Sequence, residues 1–137
     1  MEFISSDTNV WIDFNIISRM NLPFLLPYTY IMYTESMESE LLNPEGFKDQ
    51  LAEAGLVGVD ITIEEFLLAQ SWGPLYPKLS IQDRIALAIA KQRDITLLTG
   101  DKALRMAAAQ EGVHVIGTLG ILDQLFDCLL YTSPSPR

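Results

Sequence analysis

Four carboxylates in this chain could together supply an oxygen-rich site, and two of them stand where an α/β sheet would present them to a ligand. Asp7 directly follows the apolar segment FISS (3–6), and Asp101 follows ITLLT (95–99) after one glycine. Asp83 lies in the first turn of the helix that opens near Ser80, and Glu40 lies in the stretch MESELL. Open parallel sheets bind ligands beyond the carboxyl ends of their strands, and adjacent strands are about 4.8 Å apart. If the strands before Asp7 and Asp101 are neighbours, both carboxylates converge on one spot. Such a cluster is a set of hard oxygen donors suited to Mg²⁺ or Mn²⁺. Each acid also has a plainer use. Asp83 complements a helix dipole, Glu40 is a solvated surface acid, and Asp7 caps a helix.

Other chemistries are poorly supplied. The single histidine, His114, stands between two valines and reads as a half-exposed strand residue. The single cysteine, Cys128, lies beside apolar residues and reads as an inert thiol. One cysteine also excludes an internal disulfide framework and a cysteine-based zinc site. There is no glycine-rich phosphate loop and no GxSxG.

The elements that must position the acids follow from the apolar period, which switches repeatedly between strand and helix. Strands are expected at 3–6, 29–34, 56–61, 95–99 and 113–116. After Asp7, Thr8 is the expected N-cap of a helix carrying Val10, Phe14 and Ile17 on one face, with Trp11 widening the stripe. Further helices are expected from Glu35 to Leu42 and from Pro44 at N1 to Ala54, with Gly55 as the stop. Thr62 with Glu65 forms a capping box for a helix to Trp72, and Ser80 with Asp83 repeats that spacing before IALAIA. Asp101 leads into a helix through Gln110, and GTLGILDQLFDCLL gives the last one. Alternating strands and helices with short loops predict a three-layer α/β/α sandwich around a mostly parallel sheet.

Length and composition bound this picture. The chain has 137 residues, enough for one domain. With 49% hydrophobic and 20% charged residues it is too apolar for disorder. A net charge of −9 argues against a stand-alone nucleic-acid binder with a basic footprint, but not against a metal site. No apolar run approaches a spanning helix and no secretory leader opens the chain, so a cytoplasmic protein with no membrane contact is expected. After Leu130 the segment YTSPSPR neither continues the helix nor closes an element. The expected domain is therefore 1–130, with 131–137 an extraneous or disordered tail.

The succession ISSDTNVWIDF, a Glu before Leu-Leu, LSIQDRIALAIA, TLLTGDKALRMAA and VHVIGTLGIL resembles the PIN domain over about residues 2–126. The likeness is nearest to prokaryotic PIN ribonucleases, including the VapC-like toxins of type II toxin–antitoxin pairs. It implies a metal-dependent endoribonuclease with an acidic site at the strand ends, using Mg²⁺ or Mn²⁺. Asp7, Glu40, Asp83 and Asp101 fall on the family's catalytic, metal-holding acids, with Glu35 and Glu38 as rivals for the place of Glu40. Thr8, Asn9 and Thr99 fall on supporting polar positions. The implied partners are an RNA substrate and a cognate antitoxin. The stretch Leu22–Tyr30 departs from the common toxin pattern.

Arg84, Lys102 and Arg105 adjoin Asp83 and Asp101 in sequence and are expected either to touch RNA or to form a solvated face. Phe24, Leu25 and Leu26 are expected either to form an apolar surface for a homodimer or antitoxin, or to pack on the domain's own core. Two other functions compete. A haloacid-dehalogenase-type phosphotransfer domain wants a second aspartate two residues after the first, where this chain has Asn9; a receiver domain wants paired acids where Ser5 and Ser6 stand. The non-enzymatic alternative is a silent PIN-like interaction domain.

Overall fold

The computed structural model describes the backbone of residues 2–16, 21–42 and 45–132, with side chains through 127. Ile17, Pro44, the Cys128 side chain and residues 133–137 lie outside the described residues. The chain runs β1 (Glu2–Ser6), α1 (Thr8–Ile16), a 3₁₀ turn (Leu22–Leu25), β2 (Tyr28–Tyr33), α2 (Thr34–Glu40) and α3 (Phe47–Ala54). It continues with β3 (Val57–Val59), α4 (Ile63–Ser71), α5 (Ile81–Gln92), β4 (Thr96–Leu98), α6 (Lys102–Gln110), β5 (Val115–Ile116) and α7 (Thr118–Thr132). The strands form one sheet in the order β3-β2-β1-β4-β5, and every pairing is parallel.

Alternation along the strands divides the core into two layers. Ile4, Tyr30, Met32 and Leu98 pack with Val10, Trp11 and Phe14 of α1, with α3, and with Ile121 and Leu125 of α7. Ile31 and Leu97 face the other way, onto Ile85–Ala90 of α5, Leu104, Ala107 and Ala108 of α6, and Ala69 of α4. Both faces of β1 and its neighbours are thus covered, as a parallel sheet requires. Among the described residues no helix is long and apolar enough to cross a membrane.

The strands at the two edges are shorter than their apolar runs predict. β3 keeps three residues with Val57 exposed, and β5 keeps two. An edge strand pairs on one side only, so fewer residues gain a ladder partner. At the other boundary, α7 runs on through Tyr131 and Thr132, past the expected domain end at Leu130. Thr8 is the first residue of α1 rather than its cap.

The Pro-rich segment closes the core. Phe24 stacks on Trp11 at 5.2 Å between ring centres, and Tyr30 stands edge-on to both at 5.3 Å. Leu26 is buried and only Leu25 faces outward. The apolar surface expected here for a homodimer is therefore reduced to one side chain. Gly55, at φ +133°, ends α3 against this cluster; a Cβ there would lie 3.1 Å from the Phe24 ring.

Glu65 and Arg93 tie the two ends of the α4–α5 pair together. Arg93 Nε donates to Glu65 Oε2 at 2.8 Å and Nη2 to Oε1 at 3.2 Å and to the Asp60 carbonyl at 2.8 Å. Glu65 is almost fully buried and also completes the capping box with Thr62. Burial opposes its charge, but the bonds from Arg93 and Thr62 outweigh this and hold the carboxyl below its ordinary 4.5. A group with a lowered folded value stabilises above its unfolded value, and that contribution is lost as pH falls. Arg93→Ala should cost about 3 kcal/mol in urea unfolding by stranding a buried carboxylate. Adding Glu65→Gln should restore part of the loss. The parent should also lose more stability than Arg93→Ala between about pH 5 and pH 3.

Candidate active site

β1 is the central strand, and the chain leaves it in both directions: to β2 and β3 on one side, then to β4 and β5 on the other. The space beyond the carboxyl ends of β1 and β4 is thus the topological switch point of the sheet. Ser6 pairs with Leu98, and the pairing continues one residue further, with the Asp7 N–H donating to the Leu98 carbonyl at 3.0 Å. Asp7 and the turn carrying Thr99 and Asp101 are therefore neighbours because their strands are.

Asp7 is only 5% exposed. Its Oδ2 accepts the hydroxyl of the fully buried Thr99 at 3.0 Å, and the backbone N–H of Asn9 donates to the same carboxylate. Asp7, not Thr8, is thus the residue that caps α1. The Thr99 oxygen in turn accepts the Asp101 N–H at 3.1 Å, so one hydroxyl fixes Asp7 to the β4–α6 turn. Asp101 caps α6, its Oδ2 accepting the Leu104 N–H at 3.0 Å. Asp83 closes the capping box of α5: its Oδ2 accepts the Ser80 N–H at 3.0 Å, and Ser80 Oγ accepts the Asp83 N–H at 3.1 Å. Three helix N-termini each hold one of three acids, and their dipoles offset part of the mutual repulsion.

The offset is incomplete at Asp7. Burial, then the charge of Asp83, raise its carboxyl from 3.8 to about 6; the Thr99 and Asn9 hydrogen bonds pull it down, and Asp101 adds to the rise. Among the described residues, the lysine and arginine ion pairs are Lys91–Glu111 and Arg93–Glu65, neither of which involves these acids. Among the described residues no basic side chain pairs with this negatively charged corner.

A family model described as a PIN domain matches residues 3–128. The chain belongs to the PIN-domain family. A solved structure of similar fold is that of a PilT N-terminus domain protein from the hyperthermophilic archaeon Sulfolobus solfataricus P2. It aligns over 98% of both chains with a TM-score of 0.61 and 12% identity, which shows a shared fold. A comparison with curated proteins finds no match. PIN domains are generally nucleases.

In this PIN domain Glu40 is exposed at the end of α2, and its Oε1 accepts the Thr8 hydroxyl at 2.8 Å. It is thereby tied to the segment that follows Asp7, but it is not among the acids whose charge acts on Asp7. Of its rivals, Glu35 interacts with the Tyr33 hydroxyl and Glu38 is exposed. Asn9 contributes its backbone, while its residue as a whole faces solvent. Arg84 does not face a substrate: Nη1 donates to the Ala69 carbonyl at 3.0 Å and Nε to the Ser80 carbonyl at 3.4 Å, bracing α4 against α5. His114 is exposed, away from the acids.

Four residues near the site carry no signal in the sequence. Ser36 and Gln82 line, with Asp7, a cavity of about 10 Å³, near the lower limit for one water molecule. Thr118 Oγ1 is buried without a hydrogen-bond partner and faces Gly100, as does Asp13 Oδ2. A serine inside a polar helix and a threonine at a helix start carry no pattern that separates them from ordinary capping residues.

The raised Asp7 value has a sign that can be tested. Its contribution to stability is full below the unfolded value near 3.8 and is lost as pH rises through about 6. Without added metal, Asp7→Asn should melt several degrees above the parent at pH 7.5. That advantage should shrink to near zero by about pH 4. A difference that stays constant across this range would mean that the Asp7 charge is not the cause.

Proposed function

We propose that this PIN domain is a Mg²⁺- or Mn²⁺-dependent endoribonuclease that works at the Asp7–Asp83–Asp101 corner, with Glu40 on its rim. The observation that carries the reading is the buried Asp7, held with a raised pKa beside two further acids at the switch point of the sheet.

Among the described residues no three Asp, Glu, His or Cys side chains form a group that could hold a metal as they stand. A closed cage of protein ligands is therefore not supported. The donors are all oxygen, however, and Mg²⁺ is commonly held by one or two carboxylates while it keeps several waters. Asp7, Asp83 and Asp101 fit that looser mode, and the unpartnered Thr118 hydroxyl and Asp13 carboxylate beside Gly100 add oxygen nearby. When bound, the ion supplies Lewis-acid activation of water and neutralises charge on the phosphate.

The protein's own residues prepare this chemistry. Thr99 aims Asp7 by donating to Oδ2, which keeps that carboxylate oriented as its protonation changes. Ser80 and Leu104 hold Asp83 and Asp101 by their backbone N–H groups, so neither acid must be ordered when substrate arrives. Thr8 fixes Glu40 on the side opposite the β4–α6 turn.

Single-stranded RNA should be cut with Mn²⁺ and left intact in EDTA. Asp7→Asn and Asp101→Asn should each lower the rate by about 100-fold or more, in line with losing electrostatic stabilisation of a transition state. Asp123→Asn, exposed on α7, should leave it unchanged. Undiminished cleavage by Asp7→Asn would contradict the proposal. The role of a type II toxin, with a cognate antitoxin and a homodimer, extends the same proposal. Its check is growth arrest on expression of the parent and none with Asp7→Asn.

A further inference from the structure

A cleft of about 600 Å³ opens between the loop around Leu75–Leu79 and α6, and Asp101 forms part of its wall. That volume falls within the range of small-ligand sites. Two large apolar side chains on its lining, Leu75 and Met106, are 61% and 57% exposed. Tyr76 also lines it, and its hydroxyl donates to Glu111 Oε2 at 2.6 Å, which fixes the ring. The remaining lining includes Lys78 and Lys102.

These lysines are unusual in this chain. Lys91 and Arg93 are ion-paired, and Arg84 is spent on backbone carbonyls. Among the described residues Lys48, Lys78, Lys102 and Arg105 are left without an ionic or hydrogen-bond partner. Lys78 and Lys102 share this cleft, and Arg105 lies one turn beyond Lys102 on α6. Among the described residues, three of these four uncommitted cations thus lie in or beside this cleft, next to the acidic corner, and Lys48 on α3 is the exception. An aromatic ring, exposed apolar side chains and paired cations together match a single-stranded nucleotide, whose base stacks while its phosphate meets lysine.

Resting on the nuclease reading, we propose that this cleft holds one nucleotide of single-stranded RNA next to the phosphate to be cut. The base lies against Tyr76, Leu75 and Met106, and the backbone phosphate lies between Lys78 and Lys102. The lysines offset the repulsion that the acids impose on the approaching backbone. A paired base cannot enter, so duplex RNA is excluded from the cleft.

The test is fluorescence anisotropy with a labelled ten-nucleotide single-stranded RNA in EDTA at low salt, where binding is read without metal-dependent turnover. Lys78→Ala with Lys102→Ala should weaken binding about tenfold and reduce the slope of log affinity against log salt by about 1. Lys48→Ala, which removes an uncommitted cation on α3, should bind within twofold of the parent. A duplex of the same sequence should bind at least tenfold more weakly than the single strand. Unchanged melting temperatures would show that the variants fold. Absent binding by the parent, equal binding by the double variant, or equal binding of duplex overturns the assignment. A parent that cuts RNA while the double variant binds normally removes the cleft and leaves the nuclease reading. A parent that never cuts but shows the binding loss removes the nuclease reading and leaves an RNA-binding cleft.

Discussion

A carboxylate buried at the end of the central strand, under the charge of two others, is the constraint to which the rest of the molecule is fitted. Asp7 is placed there by strand order alone: β1 has β4 beside it, and the chain must turn outward from both. Its charge is costly in that position, which is why its carboxyl rises to about 6. The fold limits the cost with dipoles and hydrogen bonds. Asp7, Asp83 and Asp101 each satisfy the N-terminus of a helix, and Thr99 bridges the first acid to the turn of the third. The same contacts that make the acids tolerable also make them rigid.

Bases elsewhere are committed to architecture. Arg93 neutralises buried Glu65, Lys91 pairs with Glu111 at 2.7 Å, and Arg84 braces α4 against α5. None of them relieves the acidic corner. In the proposed function a diffusible cation supplies positive charge at the corner itself, and the uncommitted Lys78 and Lys102 line the cleft beside it. Site and cleft therefore form a sequence of surfaces, negative where the phosphodiester would be attacked and positive where its flanking backbone would rest.

Much of this is legible in the sequence. The helix-cap spacings Thr62–Glu65 and Ser80–Asp83 are local patterns, fixed by contacts three residues apart, and both capping boxes form. Strand alternation and the position of Asp7 and Asp101 after apolar runs likewise follow from short-range periodicity. Two kinds of feature were hidden. The fate of Phe24 and Leu26 depends on Trp11 and Tyr30, which lie in other elements, so composition could not tell core from surface. The role of Arg84 also escaped, since adjacency to Asp83 in sequence says nothing about the carbonyl of Ala69, fifteen residues away. The sequence pattern puts the cap at Thr8, one residue late, because threonine and aspartate both cap helices well. Here strand pairing delivers Asp7 to the capping position.

In the proposed mechanism Asp7 is an electrostatically burdened carboxylate that a divalent cation relieves. The direct measurement is an NMR titration of the Asp7 side-chain carboxyl carbon in the parent, first in EDTA and then with saturating Mg²⁺. The expected result is a midpoint near 6 without the ion and a midpoint at least one unit lower with it, since an adjacent positive charge favours the ionised form. A midpoint near 4 in EDTA, or one that Mg²⁺ leaves in place, would contradict the account and return Asp7 to the role of a helix cap.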